Sequence, residues 1–403
     1  MFSKERQTIV FELKDFKLHD EQIDERVFLS VEEVTAMIIK HGKVLAEKQG
    51  GIEIKDCVLT VPSNWNSDQK RALQDAVSLA GLHLLAFVNE NTAGALYYGI
   101  ERNDNETHTV LFYNLGSSSL KVSLAEYVAV NSTDKNYKKP IETVRILADT
   151  VVDEVSGLAF DQVLAEHFAE VFDKSPARQH KSSIKSSNPG MIKLLKECNK
   201  LKEVLSANKE TPFYVENLLD GEDFKAHIDR KLFEEKSKHI LNKLTKPIDY
   251  VLKKANRTLA QVNGLEILGG AVRVPKVQQI LSEYLGKVEL GAHLNGDEAM
   301  AYGAAFIGAN LSHSFKVRPI WLYDGNNYEI VVYFRDLENN GEEKFEKNMT
   351  VFPYKYRFGG KKTVSVHHDR NLRMDLVKRM EDGTEELMVT MNITNISEIS
   401  KVN

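Results

Sequence analysis

The 403-residue chain sets 53 Lys and Arg against 58 Asp and Glu, a formal charge of -5, and is 42% apolar. That length and apolar content suffice for two or more packed cores, and the nearly balanced charge excludes a generally basic nucleic-acid binder. Nine Pro and 23 Gly exclude a fibrous or disordered chain, and the two cysteines, Cys57 and Cys198, exclude a disulfide scaffold and a Cys-rich zinc site.

The opening segment, MFSKERQTIVFEL, lacks the apolar stretch and small-residue cleavage site of a signal peptide. It reads as a strand with Ile9, Phe11 and Leu13 on one face at period two, and a chain that opens inside a strand implies a segment upstream. Ser30 and Glu33 form a capping box ahead of a helix whose apolar stripe is Val34, Met37, Ile38 and Leu45. DCVLTVP, ending at Pro62, has the texture of a buried strand. Ser67 then caps a helix carrying Leu73, Val77 and Leu79, with Gly81 at its left-handed end. HTVLFYNL and LKVSLAEYVAV are strands joined by Gly116-Ser117-Ser118, and the alternation of strands and helices predicts α/β layers.

Residues 160 to 260 read as mostly helical, interrupted at 174 to 190 by the basic loop KSPARQHKSSIKSSNPG. Lys174, Arg178, Lys181 and Lys185 meet no acids within that loop. A solvated connection between helices accounts for them better than a phosphate patch does. A strand, LEILGG, precedes a helix from Pro275 to Tyr284 and a small-residue helix, DEAMAYGAAFIGA. After about Ser314 helical periodicity gives way to short strands. YEIVVYF follows the turn Asp324 to Asn327, KKTVSVHH follows Gly359-Gly360, and LRMDLVKRM and EELMVTMNI form a hairpin through Glu381 to Thr384. The predicted domains are 1–310 and 319–403, with a linker at 311–318.

The glycine turns carry the chemistry. Gly116-Ser117-Ser118-Ser119 offers backbone N–H groups and hydroxyls to a phosphate, and Gly269-Gly270 ends a strand where a ligand can approach the backbone closely. Taken alone, each is more often simply a turn. No P-loop, H-E-x-x-H or G-x-S-x-G sequence occurs. His367 and His368 are adjacent on a predicted strand and point to opposite faces, which suits a surface pair rather than a metal site. Seven N-x-[ST] sequons, at Asn105, Asn131, Asn256, Asn310, Asn348, Asn392 and Asn395, exceed chance and favour a glycosylated secretory-pathway protein.

VNENTAGALYYGI at 88 to 100 resembles the first connecting motif of the seventy-kilodalton heat-shock chaperones, and FYNLGSSSL at 112 to 120 their second phosphate hairpin. ILGGAVRVPKVQ at 267 to 278 is similar to their adenosine motif, DEAMAYGAA at 297 to 305 to the second connecting motif, and LLDGEDFKAHIDRKLFEE at 218 to 235 to the outer-lobe signature. The motifs run in family order over residues 5 to 310. ECNKLKEVLSAN, the Gly-Ser hairpin, and the spacing from ELG at 289 to DEA at 297 resemble the large, hypoxia-upregulated endoplasmic-reticulum branch, and the segment after Phe315 resembles the start of its peptide-binding β-sandwich.

The resemblance implies an actin-like fold, with two RNase H-like α/β lobes around a nucleotide, followed by an all-β region. It implies ATP or ADP with Mg²⁺ as cofactor. It implies a chaperone of the endoplasmic-reticulum lumen that holds unfolded polypeptides and acts as nucleotide exchange factor for the lumenal chaperone BiP. Carried over by position, Gly116, Ser117, Ser118 and Ser119 would face phosphates; Gly269, Gly270 and Arg273 would pack on ribose and adenine. Lys202 and Ser206 would line the adenine pocket, Asp297 would sit near the ribose, and Glu90 near the metal's water shell. The departures are specific. The family's first hairpin, D-x-G-[TS], and catalytic lysine are absent, the hairpin carboxylate is Asn114, a second hairpin aspartate aligns with Lys121, and an adenine-contacting glutamate aligns with Asn199. These departures predict a chain without hydrolysis. The alternatives are an active ATPase or small-molecule kinase of the same fold, and an incomplete gene model that does not fold alone.

Overall fold

The computed structural model describes residues 2–3, 8–13, 17–18, 21–22, 27–101, 107–131, 140–178, 180–312, 317–324, 328–337, 345–356 and 361–396. The side chain of Leu13, the sequon at Asn105, the turn residues 325–327 and Gly359-Gly360 lie outside the described residues. The chain divides into two units. The first comprises Met1–Asn103, Val110–Ser123 and Ala148–Arg318, and the second Asp104–Thr109, Leu124–Leu147 and Pro319–Asn403.

The first unit is mixed α/β, as an actin-like nucleotide-binding fold requires. Within it, sheet strands run in the order Glu289–Gly291, Gly264–Leu268, His108–Leu115 and the start of Leu120–Val130. Gly264–Leu268 is parallel to both neighbours, with Leu268 opposite Asn114. Leu111, Phe112, Tyr113 and Leu115 are fully buried, the mark of a strand covered on both faces. The helix Gly157–Asp173 supplies Phe160, Leu164 and Phe168 to the core.

Residues 160 to 260 are not all helix. Glu210–Leu219 and Glu222–Asp229 form an antiparallel hairpin, turning through Asp220 and Gly221, both at positive φ as a two-residue Asp-Gly turn demands. Phe213 stacks on Phe168 at 4.5 Å between ring centroids, and Phe224 meets Phe172 edge-on at 5.5 Å. Aromatic packing therefore fixes this hairpin on the helix Gly157–Asp173.

Other expectations need correction as well. The basic loop is opposed by acids from distant sequence: Arg178 is buried and paired with Asp220 at 2.6 Å, Lys181 pairs with Glu222, and Lys185 with Glu170. The helix Ser67–Leu79 is capped by Asn66, whose box with Gln69 begins one residue earlier than Ser67. In the strand Thr8–Leu13 it is Val10 that is buried, while Ile9 and Phe11 are about half exposed. The Ser30–Glu33 box does cap the helix Val31–Gly50, yet Met37, Ile38 and Leu45 lie exposed and Ala36 is the buried residue. Asp56–Val61 is only partly covered rather than fully buried.

In the second unit Ile320–Tyr323 lies parallel to the start of Ile141–Val152. The four-stranded antiparallel sheet runs Glu346–Phe352, Glu329–Asp336, Leu372–Arg379, Glu385–Ile393. Val332, Phe334 and Leu372 form its core with Phe345, Val364 and Val366. The predicted Leu372–Ile393 hairpin is present, with Gly383 at φ 83° in its turn. The segment KKTVSVHH is irregular rather than a strand. It keeps the predicted alternation but not the surface pair: His367 is exposed, whereas His368 turns inward to Asp336 at 2.7 Å and stacks on Phe345.

Candidate functional site

The two glycine turns predicted from sequence lie at the carboxyl ends of adjacent parallel strands, where α/β sheets place their ligands. Gly269 stands at φ 83°, and a Cβ there would collide with the Leu115 carbonyl and stand 2.9 Å from the Asn114 side-chain oxygen. Only glycine permits both the left-handed backbone and this approach. At Gly270 a Cβ would meet open space.

The hairpin turn is closed by the Gly116 N–H donating to the Ser119 carbonyl at 3.1 Å. Ser117 and Ser118 are exposed and Ser119 is buried. The turn is held from one side by the N-terminus of the helix Gly157–Asp173: the N–H groups of Gly157 and Leu158 donate to the Gly116 and Ser117 carbonyls, each at 2.9 Å. Ser156 caps that helix through Ala159 N–H. Gly157 has a Cβ position 3.3–3.4 Å from Gly116, Ser117 and the Lys202 ammonium, so these groups form one tight cluster.

Lys202, on the helix Asn188–Ala207, is buried and donates to the Gly157 carbonyl at 3.1 Å while pairing with Asp161 at 2.8 Å. Asn199 donates to the other Asp161 oxygen at 3.0 Å. Asp161 was not among the residues singled out from sequence, because only the fold brings it to Lys202. Ser206 is half-buried and donates to the Lys202 carbonyl at 2.9 Å, bonding back along its own helix. Cys198 on the same helix is buried, and desolvation, with the charges of Asp161 and Glu197, pushes its thiol far up.

Arg273 and Asp297 are exposed and 3.5 Å apart, and a Cβ on Gly296 would stand 3.2 Å from Gly269 N–H nitrogen. Asp297 thus flanks the Gly269 turn. Glu90 opens the helix Glu90–Glu101 and lines, with Asp297 and Met300, a cleft of about 830 Å³.

Toward a nucleotide these residues offer the exposed Ser117 and Ser118 and the open face of Gly270, while the Gly116 N–H is already taken by the Ser119 carbonyl. Magnesium does not fit. Lys121 places its ammonium 2.7 Å from the Glu90 carboxylate, and Asn114, buried at the hairpin base with its amide toward Met300 Sδ at 3.8 Å, carries no charge. Among the described residues no group of three or more His, Cys, Asp or Glu is placed to hold a metal ion.

A sequence model of the Hsp70 protein family matches residues 2–396. The chain is 34% identical over 390 residues to Hypoxia up-regulated protein 1 of Mus musculus, covering 93% of this chain and 38% of that protein. It is 33% identical over 410 residues to the Homo sapiens protein of the same name, covering 98% and 39%. It is 36% identical over 321 residues to Heat shock 70 kDa protein 17 of Arabidopsis thaliana, covering 79% and 36%. The chain therefore spans about two fifths of the length of these relatives. With a family match over nearly its whole length, the chain belongs to the Hsp70 family.

Proposed function

We propose that this chain is the nucleotide-binding part, with the first strands of the polypeptide-holding part, of a chaperone of the endoplasmic-reticulum lumen. It binds ATP or ADP, holds unfolded polypeptides, and acts as nucleotide exchange factor for the lumenal chaperone BiP. The observation that carries the nucleotide reading is the pair of glycine turns at the ends of two hydrogen-bonded parallel strands, Leu268 opposite Asn114. Gly116, Ser117, Ser118 and Ser119 would hold the phosphates; Gly269, Gly270, Arg273, Lys202 and Ser206 would flank adenine and ribose, with Asp297 beside them. Bound nucleotide would switch the chaperone between states of different client affinity. This chain's own residues bind and orient it through backbone dipoles and hydroxyls.

The similarity to Hypoxia up-regulated protein 1 supports the lumenal assignment, as do exposed sequon asparagines. Asn395 is exposed just past the strand Glu385–Ile393. Asn348 is exposed but lies within the strand Glu346–Phe352 rather than in a loop, so Asn395 is the better acceptor. For client holding, the edge strand Glu385–Ile393 exposes Leu387, Val389 and Met391, apolar surface of the kind unfolded chains contact.

Thermal unfolding with and without ADP tests the nucleotide reading, since a ligand that binds only the folded state raises the midpoint. A rise with ADP and none with adenosine-free phosphate supports it, and no rise at saturating ADP refutes it. Suppression of aggregation of a denatured client, and acceleration of ADP release from BiP, test the two partner assignments separately.

A further inference from the structure

We propose that the Lys121 ammonium occupies the place of a divalent cation beside Glu90, so that nucleotide binds this chain without magnesium. The inference rests on the nucleotide reading above and adds to it how charge at that site is balanced. Lys121 and Glu90 are 2.7 Å apart, and their side chains are 10% and 20% exposed, a setting in which water weakens their attraction little.

The lysine is also fixed in position. It lies on the buried strand Leu120–Val130, and its carbonyl accepts from the Asn91 side-chain amide at 3.2 Å, while the same amide reaches the Phe112 carbonyl at 3.3 Å. Asn91 follows Glu90 on the helix Glu90–Glu101, so one side chain clamps the helix start to both hairpin strands and sets Glu90 opposite Lys121.

The cavity beside the pair, about 10 Å³, has room for roughly one water molecule. Asn91 Oδ1 and Ser123 Oγ are buried there without hydrogen-bond partners. Both are neutral oxygens and bring no negative charge to offset a divalent cation. Asp149, the other carboxylate of the cleft, has a partner of its own. A divalent cation reaching Glu90 would have to displace the ammonium or stand beside it, and like charges at such range repel strongly. The ammonium already neutralises Glu90, leaving the exposed Ser117 and Ser118 to meet the phosphates.

The test is ADP affinity by calorimetry on the intact 403-residue chain, in excess magnesium and in excess EDTA. It is repeated with Lys121→Met, Lys121→Arg and the double variant Lys121→Met with Glu90→Gln. Binding of Mn²⁺ alone is followed by its electron paramagnetic resonance signal.

Wild type and Lys121→Arg should bind ADP equally within about twofold in both buffers and should not bind Mn²⁺. Lys121→Met, which uncovers Glu90, should bind Mn²⁺ and gain about tenfold from magnesium, the size of one charge-assisted contact. The double variant removes both charges, avoids a stranded carboxylate should Lys121→Met fail to fold, and should again ignore the metal. A wild-type affinity that falls tenfold or more in EDTA overturns the inference while leaving the nucleotide reading intact. Absence of ADP binding in either buffer overturns both.

Discussion

Lys202 and Asp161 form an ion pair of 2.8 Å between the helices Asn188–Ala207 and Gly157–Asp173, both side chains at least nine-tenths buried. Because the ammonium also holds the Gly157 carbonyl, and Gly157 holds the hairpin carbonyl of Gly116, the pair links helix packing to the phosphate turn. Breaking a buried pair from one side strands a charge. Lys202→Met should therefore cost about 3 kcal/mol in urea unfolding. Lys202→Met combined with Asp161→Leu should cost distinctly less, because no charge is left behind. Equal costs would show that Lys202 contributes only its packing.

The two neighbouring glycines should separate stability from binding. Gly269→Ala forces a side chain into left-handed backbone and against the Leu115 carbonyl, and should destabilise by more than about 2 kcal/mol. Gly270→Ala projects into open space and should change stability by no more than about 1 kcal/mol, while weakening ADP binding because the methyl fills the surface where ribose would pack. Chemical unfolding and calorimetry on both variants check this; unchanged ADP affinity in Gly270→Ala would remove that glycine from the site.

Asn114→Asp should not create an ATPase. Asn114 is buried, its amide faces Met300 Sδ, and its side-chain oxygen lies near Gly269. A carboxylate there would be buried against the Met300 thioether, so the variant should lose about 1–3 kcal/mol and release no phosphate above a no-protein control. Groups that act as one catalytic unit do not recover singly. Metal-dependent turnover in the variant would contradict this.

Much of the first unit was legible because local signals agreed with tertiary contacts. The Ser30–Glu33 box, Gly81, and the strands flanking Gly116 are each decided within a few residues. What escaped reading depends on distance. Arg178 looked solvated because its partner, Asp220, is 42 residues away, and Lys121 stood out only as a departure from the family's hairpin until the fold set it against Glu90. The hairpin at Glu210–Asp229 did carry a local signal, Asp220-Gly221, which the helical texture around it obscured. The exposed Met37, Ile38 and Leu45 show that an apolar stripe predicts a helix face but not its partner. The glycine turns announce themselves by composition, whereas Asp161, which pairs with Lys202, lies in no motif.

Acid should unfold the β sheet of the second unit through Asp375. Burial would raise its carboxyl, but hydrogen bonds from Thr390 and Arg373 and the charges of Arg373 and Arg335 outweigh it and hold the group below the ordinary 3.8. A depressed carboxyl stabilises fully above the unfolded value and loses that contribution as pH falls below 3.8 through the folded value. Asp375→Asn should be less stable at neutral pH and should show a flatter decline in melting temperature across that acid range. An identical slope in wild type and variant would exclude Asp375 as a cause.

The most direct test of the nucleotide site is hydrogen exchange of the backbone amides, read by mass spectrometry with and without saturating ADP. The account predicts slowed exchange in peptides covering Gly116–Ser119 and Gly269–Arg273, with smaller changes around Lys202, and none in the sheet of Glu329–Ile393. Binding of ADP with no protection at either glycine turn, or with protection confined to other segments, would contradict it.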